Sequence, residues 1–232
     1  MPFRAPMEDT HVNARLTLLA ALLGLTGVHA AAQTNPHAAA LIRDAMALEP
    51  DAERGAALYR EHCSDCHGEK AWGDAAKAVP SLAGQREFYL VTQLAAIAEL
   101  GRIAPDMHRA LQRGDLAQPQ GVRDLAAYLA GEPPGRNPQH GAGRALEAGE
   151  RAYTRGCAQC HGARAEGSAE EPIPALAGQH YSYLILQLRN FSAGHRGLVE
   201  PPVLDFTAGL SPDELEAIAD YLSRLPPAAA GR

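Results

Sequence analysis

The residues best suited to chemistry in this chain are its four cysteines, which occur in two identical patterns. In each pattern the cysteines are three residues apart and a histidine follows directly, in CSDCH (Cys63, Cys66, His67) and CAQCH (Cys157, Cys160, His161). On one helical turn, two thiols and an imidazole at this spacing can face the same macrocycle. The thiols can bond to the vinyl groups of a haem as thioethers, and the imidazole can ligate the iron. The sequence therefore predicts two covalently attached haem c groups, with His67 and His161 as iron ligands.

Other uses of paired cysteines explain less of the pattern. Disulfides are the ordinary expectation for cysteines in an exported chain, but they do not account for the histidine after each pair. A thioredoxin-like redox pair requires a βαβ context, which the sequence does not show. A zinc site built from two such pairs separates them by about 15–20 residues, whereas these pairs begin 94 residues apart.

The separation of 94 residues is the period of an internal repeat. At this offset Tyr59 pairs with Tyr153, Tyr89 with Tyr183, and the segment PSLAGQ at residues 80–85 with PALAGQ at residues 174–179. Near the end the offset falls to 93, where the endings AAYL and ADYL are paired. A period of this length indicates a duplicated domain.

An export signal is predicted at the start of the chain. Arg15 precedes an apolar stretch, residues 16–28, and small residues follow, with cleavage expected near Ala30 or Ala32. An apolar stretch of 13 residues is shorter than the roughly 20 that a membrane-spanning helix needs. We therefore expect a periplasmic protein, soluble or loosely associated with the membrane.

The remaining chain is predicted to form two helical domains. Three prolines and four glycines within residues 131–143 indicate a linker. Each copy shows three helical runs, at residues 51–66, 86–99 and 120–130 and at residues 145–160, 179–191 and 211–225. No segment shows the alternation of apolar and polar residues that would predict a strand. The expected organisation is an export signal at 1–32, a helical lead segment at 33–50, a first domain at 51–131, a linker at 132–144 and a second domain at 145–228.

From about residue 51 to residue 225 the chain resembles the dihaem cytochromes of the c4 type, which are tandem class I cytochrome c domains. The resemblance rests on the two haem motifs, the two PxLAGQ segments and the AAYL and ADYL endings. It implies an all-α fold of two tandem cytochrome c-like helical domains, each wrapped around one covalent haem. It also implies that the carbonyls of Pro80 and Pro174 accept a hydrogen bond from the haem-ligating histidines, and that the last helix of each domain crosses its first.

The resemblance further implies a methionine as the sixth iron ligand, just before the last helix of each domain. The first domain supplies Met107, with the adjacent His108 as the alternative ligand. The second domain departs from the pattern, because no methionine follows Met107. Two outcomes stay open for its haem: His195 completes a bis-histidine centre, or the sixth position is open. His180, in the place that Arg86 takes in the first copy, is expected to be a surface group at a helix start.

Composition and motifs favour an electron carrier over other classes of protein. A net charge of −6 and a pI of about 5.9 argue against nucleic-acid binding. The resemblance implies redox protein partners: a terminal oxidase, a bc1-type complex or a dehydrogenase subunit. The alternative is a haem enzyme or small-ligand-binding protein that uses an open sixth site on the second haem. Its sole support is the missing methionine.

Overall fold

The protein is helical throughout the residues that can be described. The computed structural model describes Met1, residues 35–197 and residues 201–228. The predicted export signal therefore lies, apart from Met1, outside the described residues. Within those ranges the one β-type pairing is an isolated bridge between Asp74 and Val79, and the predicted all-α fold is confirmed. Among the same residues, no helix combines the length and apolarity needed to cross a bilayer.

Each domain carries the three predicted helical runs and one further short helix. The predicted lead helix is α1 (Pro36–Met46). The first domain contains α2 (Ala52–His62), α3 (Ser64–His67), α4 (Glu87–Ala98), α5 (Pro105–Leu111) and α6 (Pro119–Gly131). The second contains α7 (Leu146–Gly156), α8 (Ala158–His161), α9 (Tyr181–Ser192), α10 (Pro201–Ala208) and α11 (Pro212–Arg224).

The runs predicted at residues 51–66 and 145–160 each break at the first cysteine of the motif. Cys63 closes α2 and Cys157 closes α7, and a single-turn helix follows each. The short helices α5 and α10 lie between the predicted helical runs, where the sequence predicted no helix. Each begins on a proline, a residue that is preorganised for the first helical turn.

The first and last helices of each domain cross at a glycine. A Cβ on Gly55 of α2 would lie 2.1 Å from the carbonyl oxygen of Asp124 in α6. A Cβ on Gly149 of α7 would lie 2.1 Å from the carbonyl oxygen of Ala217 in α11. These are contacts of helix backbone against helix backbone, which only a residue without a side chain allows. The crossing implied by the resemblance is present in both domains.

Each domain has its own apolar core around this crossing. Tyr59 packs against Tyr128 with ring centroids 5.5 Å apart, and the second domain repeats the pair, Tyr153 with Tyr221, at 5.9 Å. In the first domain α1 adds Leu41 and other apolar side chains to the core. Since all described helices belong to the unit Ala32–Arg232, contacts between the two domains lie within one folded body.

Candidate haem centres

The first haem motif lies on the turn between α2 and α3. Cys63 ends α2 and is half-buried, whereas Cys66 is exposed. Burial, reinforced by the nearby Cys66, raises the pKa of the Cys63 thiol to about 11. The turn is held in place by the buried Tyr59, whose hydroxyl donates a hydrogen bond of 2.6 Å to the carbonyl of Gly68. Gly68 adopts a φ of +77°, which glycine takes without strain and which ends α3 directly after the motif.

His67 is fixed so that one ring nitrogen is available to a metal. Its Nδ1–H donates to the carbonyl oxygen of Pro80 at 3.3 Å, so the lone pair is on Nε2. Burial lowers the pKa of His67, against the opposing effect of the Pro80 hydrogen bond. A neutral imidazole in this tautomer is the form that ligates iron.

Met107 lies opposite His67, on α5. Its Sδ is 3.5 Å from Nε2 of His67, so the two potential ligands converge on one point. The alternative ligand, His108, is turned towards α4, where its Nδ1–H donates to the carbonyl of Ile97 at 3.0 Å. The structure therefore brings Met107 and not His108 to His67.

The second motif repeats the arrangement on the attachment side. The hydroxyl of Tyr153 donates to the carbonyl of Gly162 at 2.5 Å, and Nδ1–H of His161 donates to the carbonyl of Pro174 at 3.1 Å. Burial again lowers the pKa of the histidine, and it raises the pKa of Cys157 to about 11. Cys160 is exposed, as Cys66 is in the first domain.

The opposite side of the second centre differs from the first. The helix α10, which lies between α9 and α11 as α5 lies between α4 and α6, contains PPVLDFTA and no methionine. Within the described residues no side chain comes within hydrogen-bonding distance of His161 Nε2. His195 is exposed on the loop after α9, and no hydrogen bond joins its side chain to His161 among the described residues.

The two centres are joined by a set of reciprocal contacts that the sequence analysis missed. The side-chain amide of Gln179 accepts from the backbone N–H of Ser81 at 2.9 Å and donates to the carbonyl of the same residue at 2.8 Å. Gln85 does the same with Ala175, at 2.8 Å and 2.9 Å. Because 81 pairs with 175 and 85 with 179 in the repeat, the domains face each other with approximate two-fold symmetry.

His180 belongs to this interface, which corrects the expectation that it is a surface group. It is 9% exposed, its Nε2–H donates to the carbonyl of Trp72 at 2.7 Å, and its Nδ1 accepts from the N–H of Gln139 at 3.2 Å. Arg86 makes the symmetric contact, from Nε to the carbonyl of Glu166 at 2.6 Å. His180 and Arg86 occupy equivalent positions in the repeat, which could have indicated from the sequence that both lie in the same kind of environment.

A third reciprocal pair places two guanidinium groups between the domains. Arg102 donates to the hydroxyl of Tyr183 at 3.0 Å, and Arg196 donates to the hydroxyl of Tyr89 at 3.0 Å. Burial acts to raise the pKa of Tyr183, but the two guanidinium groups outweigh it and hold the pKa below its ordinary value. In the described parts of the chain neither arginine forms an ion pair with a carboxylate.

The side chains at each centre fit a covalently attached haem. Each motif offers two thiols and one imidazole whose other nitrogen is engaged, which is the donor set that a haem c requires. Arg196, which is buried, and Arg102, which is half-buried, carry positive charge between the domains, and the carboxylates of a haem would need such a charge away from water. The residues present therefore fit the predicted cofactor.

Both haem motifs lie in regions of the chain that match a known protein family. The cytochrome c family model matches residues 52–131 and 146–226. Cytochrome c4 of Azotobacter vinelandii is 32% identical over 185 residues, 70% of this chain and 84% of that protein. The thiosulfate dehydrogenase electron acceptor of Thiomonas intermedia (strain K12) is 32% identical over 178 residues, 71% of this chain and 78% of that protein. The crystal structure of reduced recombinant cytochrome c4 from Pseudomonas stutzeri is similar, with a TM-score of 0.66 and 28% identity, covering 76% of this chain and 100% of that one.

Proposed function

Since this chain belongs to the cytochrome c family, as a dihaem protein of the c4 type with two haem c groups, we propose that it carries electrons between redox proteins in the periplasm. When bound, each haem supplies an iron that takes up and gives up one electron. The observation that carries the proposal is the matched pair of histidines. Each has Nδ1 bonded to a prolyl carbonyl, which leaves Nε2 unprotonated towards the centre of its domain.

The side chains around each centre have separate tasks. The four cysteines would hold the two haems covalently, and His67 and His161 would ligate iron. Met107 would supply the further ligand in the first domain, because its sulfur faces His67. A thioether raises the reduction potential relative to a second imidazole, so the first haem is the higher-potential centre of the two if the second is bis-histidine.

The route by which electrons enter and leave follows from the exposure of the attachment turns. Cys66 and Cys160 are exposed, whereas Cys63 and Cys157 are half-buried. Cys66 and Cys160 would therefore hold each haem at a point that a partner can approach from the surface.

The donor that we propose is a periplasmic dehydrogenase or its haem subunit, and the acceptor a terminal oxidase or bc1-type complex. The dehydrogenase is supported by the Thiomonas intermedia relative, which is named as an electron acceptor of thiosulfate dehydrogenase. The oxidase is supported by a 28% identical relative from Rhizobium meliloti (strain 1021), a cbb3-type cytochrome c oxidase subunit. The predicted export signal is consistent with this location. The comparisons lend no support to the alternative of a haem enzyme.

The test is a haem count combined with electron transfer. Denaturing mass analysis of the mature protein should show the polypeptide plus two haem masses. Replacing both Cys63 and Cys66 by Ala should remove one haem, and the matched change of Cys157 and Cys160 should remove the other. The reduced protein should then be reoxidised rapidly by an oxidase-containing membrane fraction. Free thiols in the native protein, or reduced protein that no redox partner reoxidises, would contradict the proposal.

A further inference from the structure

A single peptide group next to each haem-ligating histidine is hydrogen-bonded on both of its sides. In the first domain this is the peptide between Pro80 and Ser81. Its carbonyl oxygen accepts from Nδ1–H of His67 at 3.3 Å, and its N–H donates to Oε1 of Gln179 at 2.9 Å. Gln179 belongs to the second domain. The imidazole of one haem is therefore one peptide group away from a side chain of the other domain.

The second domain repeats this relay with the roles exchanged. The carbonyl oxygen of the peptide between Pro174 and Ala175 accepts from Nδ1–H of His161 at 3.1 Å. The N–H of the same peptide donates to Oε1 of Gln85, from the first domain, at 2.8 Å. Both glutamines also donate to the carbonyl of the residue whose N–H they accept from, which fixes the amide orientation.

Hydrogen bonds that share a peptide group strengthen one another. When the N–H donates, electron density in the peptide shifts towards the carbonyl oxygen, which becomes a better acceptor. A stronger bond from the oxygen to the imidazole Nδ1–H makes the imidazole a more basic ligand. More basic ligation favours ferric iron and lowers the reduction potential. Burial strengthens the effect, since Gln179 is 8% exposed and the local dielectric constant is low.

We propose that the glutamine of each domain tunes the reduction potential of the haem in the other domain. Gln179 acts on the first haem through Pro80 and His67, and Gln85 acts on the second through Pro174 and His161. Both are positioning residues, because each acts on the ligand histidine through a peptide group and not directly. The inference rests on the proposed ligation by His67 and His161. The interface then sets the potentials of the two haems.

The experiment compares Gln179→Leu with its matched partner Gln85→Leu in the intact dihaem protein. Potentiometric titration resolves the haems, because only the first has the thioether absorption band. Gln179→Leu should raise the equilibrium constant for reduction of the first haem at least threefold, about 28 mV at about 59 mV per tenfold for one electron. The second haem should change by less than a third of that amount. Gln85→Leu should give the reverse pattern.

Two controls separate the relay from a general loosening of the interface. Ser182→Ala removes a different bond between the domains, from Ser182 Oγ to the carbonyl of Ala75 at 2.7 Å, and should leave both potentials unchanged. In the ferrous protein, the proton resonance of His67 Nδ1–H should move in Gln179→Leu and stay in place in Gln85→Leu. If Gln179→Leu does not assemble, Gln179→Met takes its place. It keeps the side-chain length and should give the same shifts.

The outcomes distinguish this inference from the proposed function. Equal shifts of both haems in each variant, a shift confined to the haem of the substituted domain, or no shift at all would overturn the relay. A protein that keeps two haems and its electron transfer while showing any of these results would leave the proposed function intact. A native protein that contains fewer than two haems would instead refute the function on which the relay depends.

Discussion

Substitution of Gly55 by Ala tests whether the backbone contact between α2 and α6 holds the first haem turn. The added Cβ would lie 2.1 Å from the carbonyl oxygen of Asp124, 2.6 Å from its carbonyl carbon and 2.9 Å from Cβ of Tyr128. Two of the three obstructing atoms are helix backbone, which cannot rotate away. The two helices must therefore separate by about 1 Å, which forfeits a quarter to a half of the dispersion energy at the contact.

The magnitude follows from two opposing effects. Overpacking at a rigid contact costs roughly 1–3 kcal/mol and sometimes more, whereas Ala in a helix interior is better than Gly by roughly 0.5–1 kcal/mol. Because the obstruction here is backbone rather than side chain, we expect the upper part of the first range and a net loss of about 2 kcal/mol. For a domain of 60–100 residues this is a fall in Tm of about 10 °C.

The assay is thermal unfolding of the oxidised protein, followed at the thioether-to-iron band for the first domain and at the Soret band for both. Gly55→Ala should lower the Tm of the first domain and leave that of the second unchanged. Gly149→Ala should lower the Tm of the second domain and leave that of the first unchanged. The control is Gly131→Ala at the end of α6, where an added Cβ meets nothing within 4 Å. A Gly55→Ala protein as stable as the Gly131→Ala protein would refute the role assigned to the helix contact.

Three further predictions concern the ligands and the attachment turns. Met107→Ala should abolish the thioether-to-iron band and lower the potential of the first haem, whereas His108→Ala should keep the band; a band that survives in Met107→Ala excludes the assigned ligand. His195→Ala should leave the magnetic resonance and absorption spectra of the second haem unchanged, because the side chain is exposed; loss of a low-spin signal would show that it ligates. Tyr59→Phe and Tyr153→Phe should each cost about 0.5–1.5 kcal/mol in denaturant unfolding of the affected domain, since each removes one hydrogen bond from a carbonyl that keeps a second, backbone donor; an unchanged midpoint would mean that water replaces the hydroxyl.

The sequence predicted the elements whose signals are local or periodic. The helices α2, α4 and α6 and their second-domain counterparts lie at the three runs predicted in each copy of the repeat. At the start of α11, the side chain of Ser211 accepts from the N–H of Glu214 and that of Glu214 from the N–H of Ser211, which is a local signal of a helix start. The two attachment turns followed from residue type and spacing alone, and the repeat gave the number of domains.

Other features depend on long-range contacts that no local pattern reveals. The helices α5 and α10 have 7 and 8 residues, too few for periodicity to separate a helix from a loop. The burial of His180 results from packing against Trp72 of the other domain, although an isolated histidine at a helix start is usually solvated. The glutamine contacts join side chains to backbone groups 98 and 90 residues away along the chain. Nearly every residue has a backbone donor and acceptor, so the sequence does not single these groups out.

The contacts across the interface have a consequence for how the two halves of the chain can diverge. In a homodimer with this two-fold arrangement, one codon change would alter both sides of the interface at once. A tandem copy removes that restriction. Gln85, Gln179, Arg86 and His180 all donate to backbone carbonyls of the opposite half, which any residue supplies. Ser81 is accordingly paired with Ala175 in the repeat, and Trp72 with Glu166, while the same bonds are made. One half of the chain can thus carry a methionine at its haem centre and the other half none without weakening the interface.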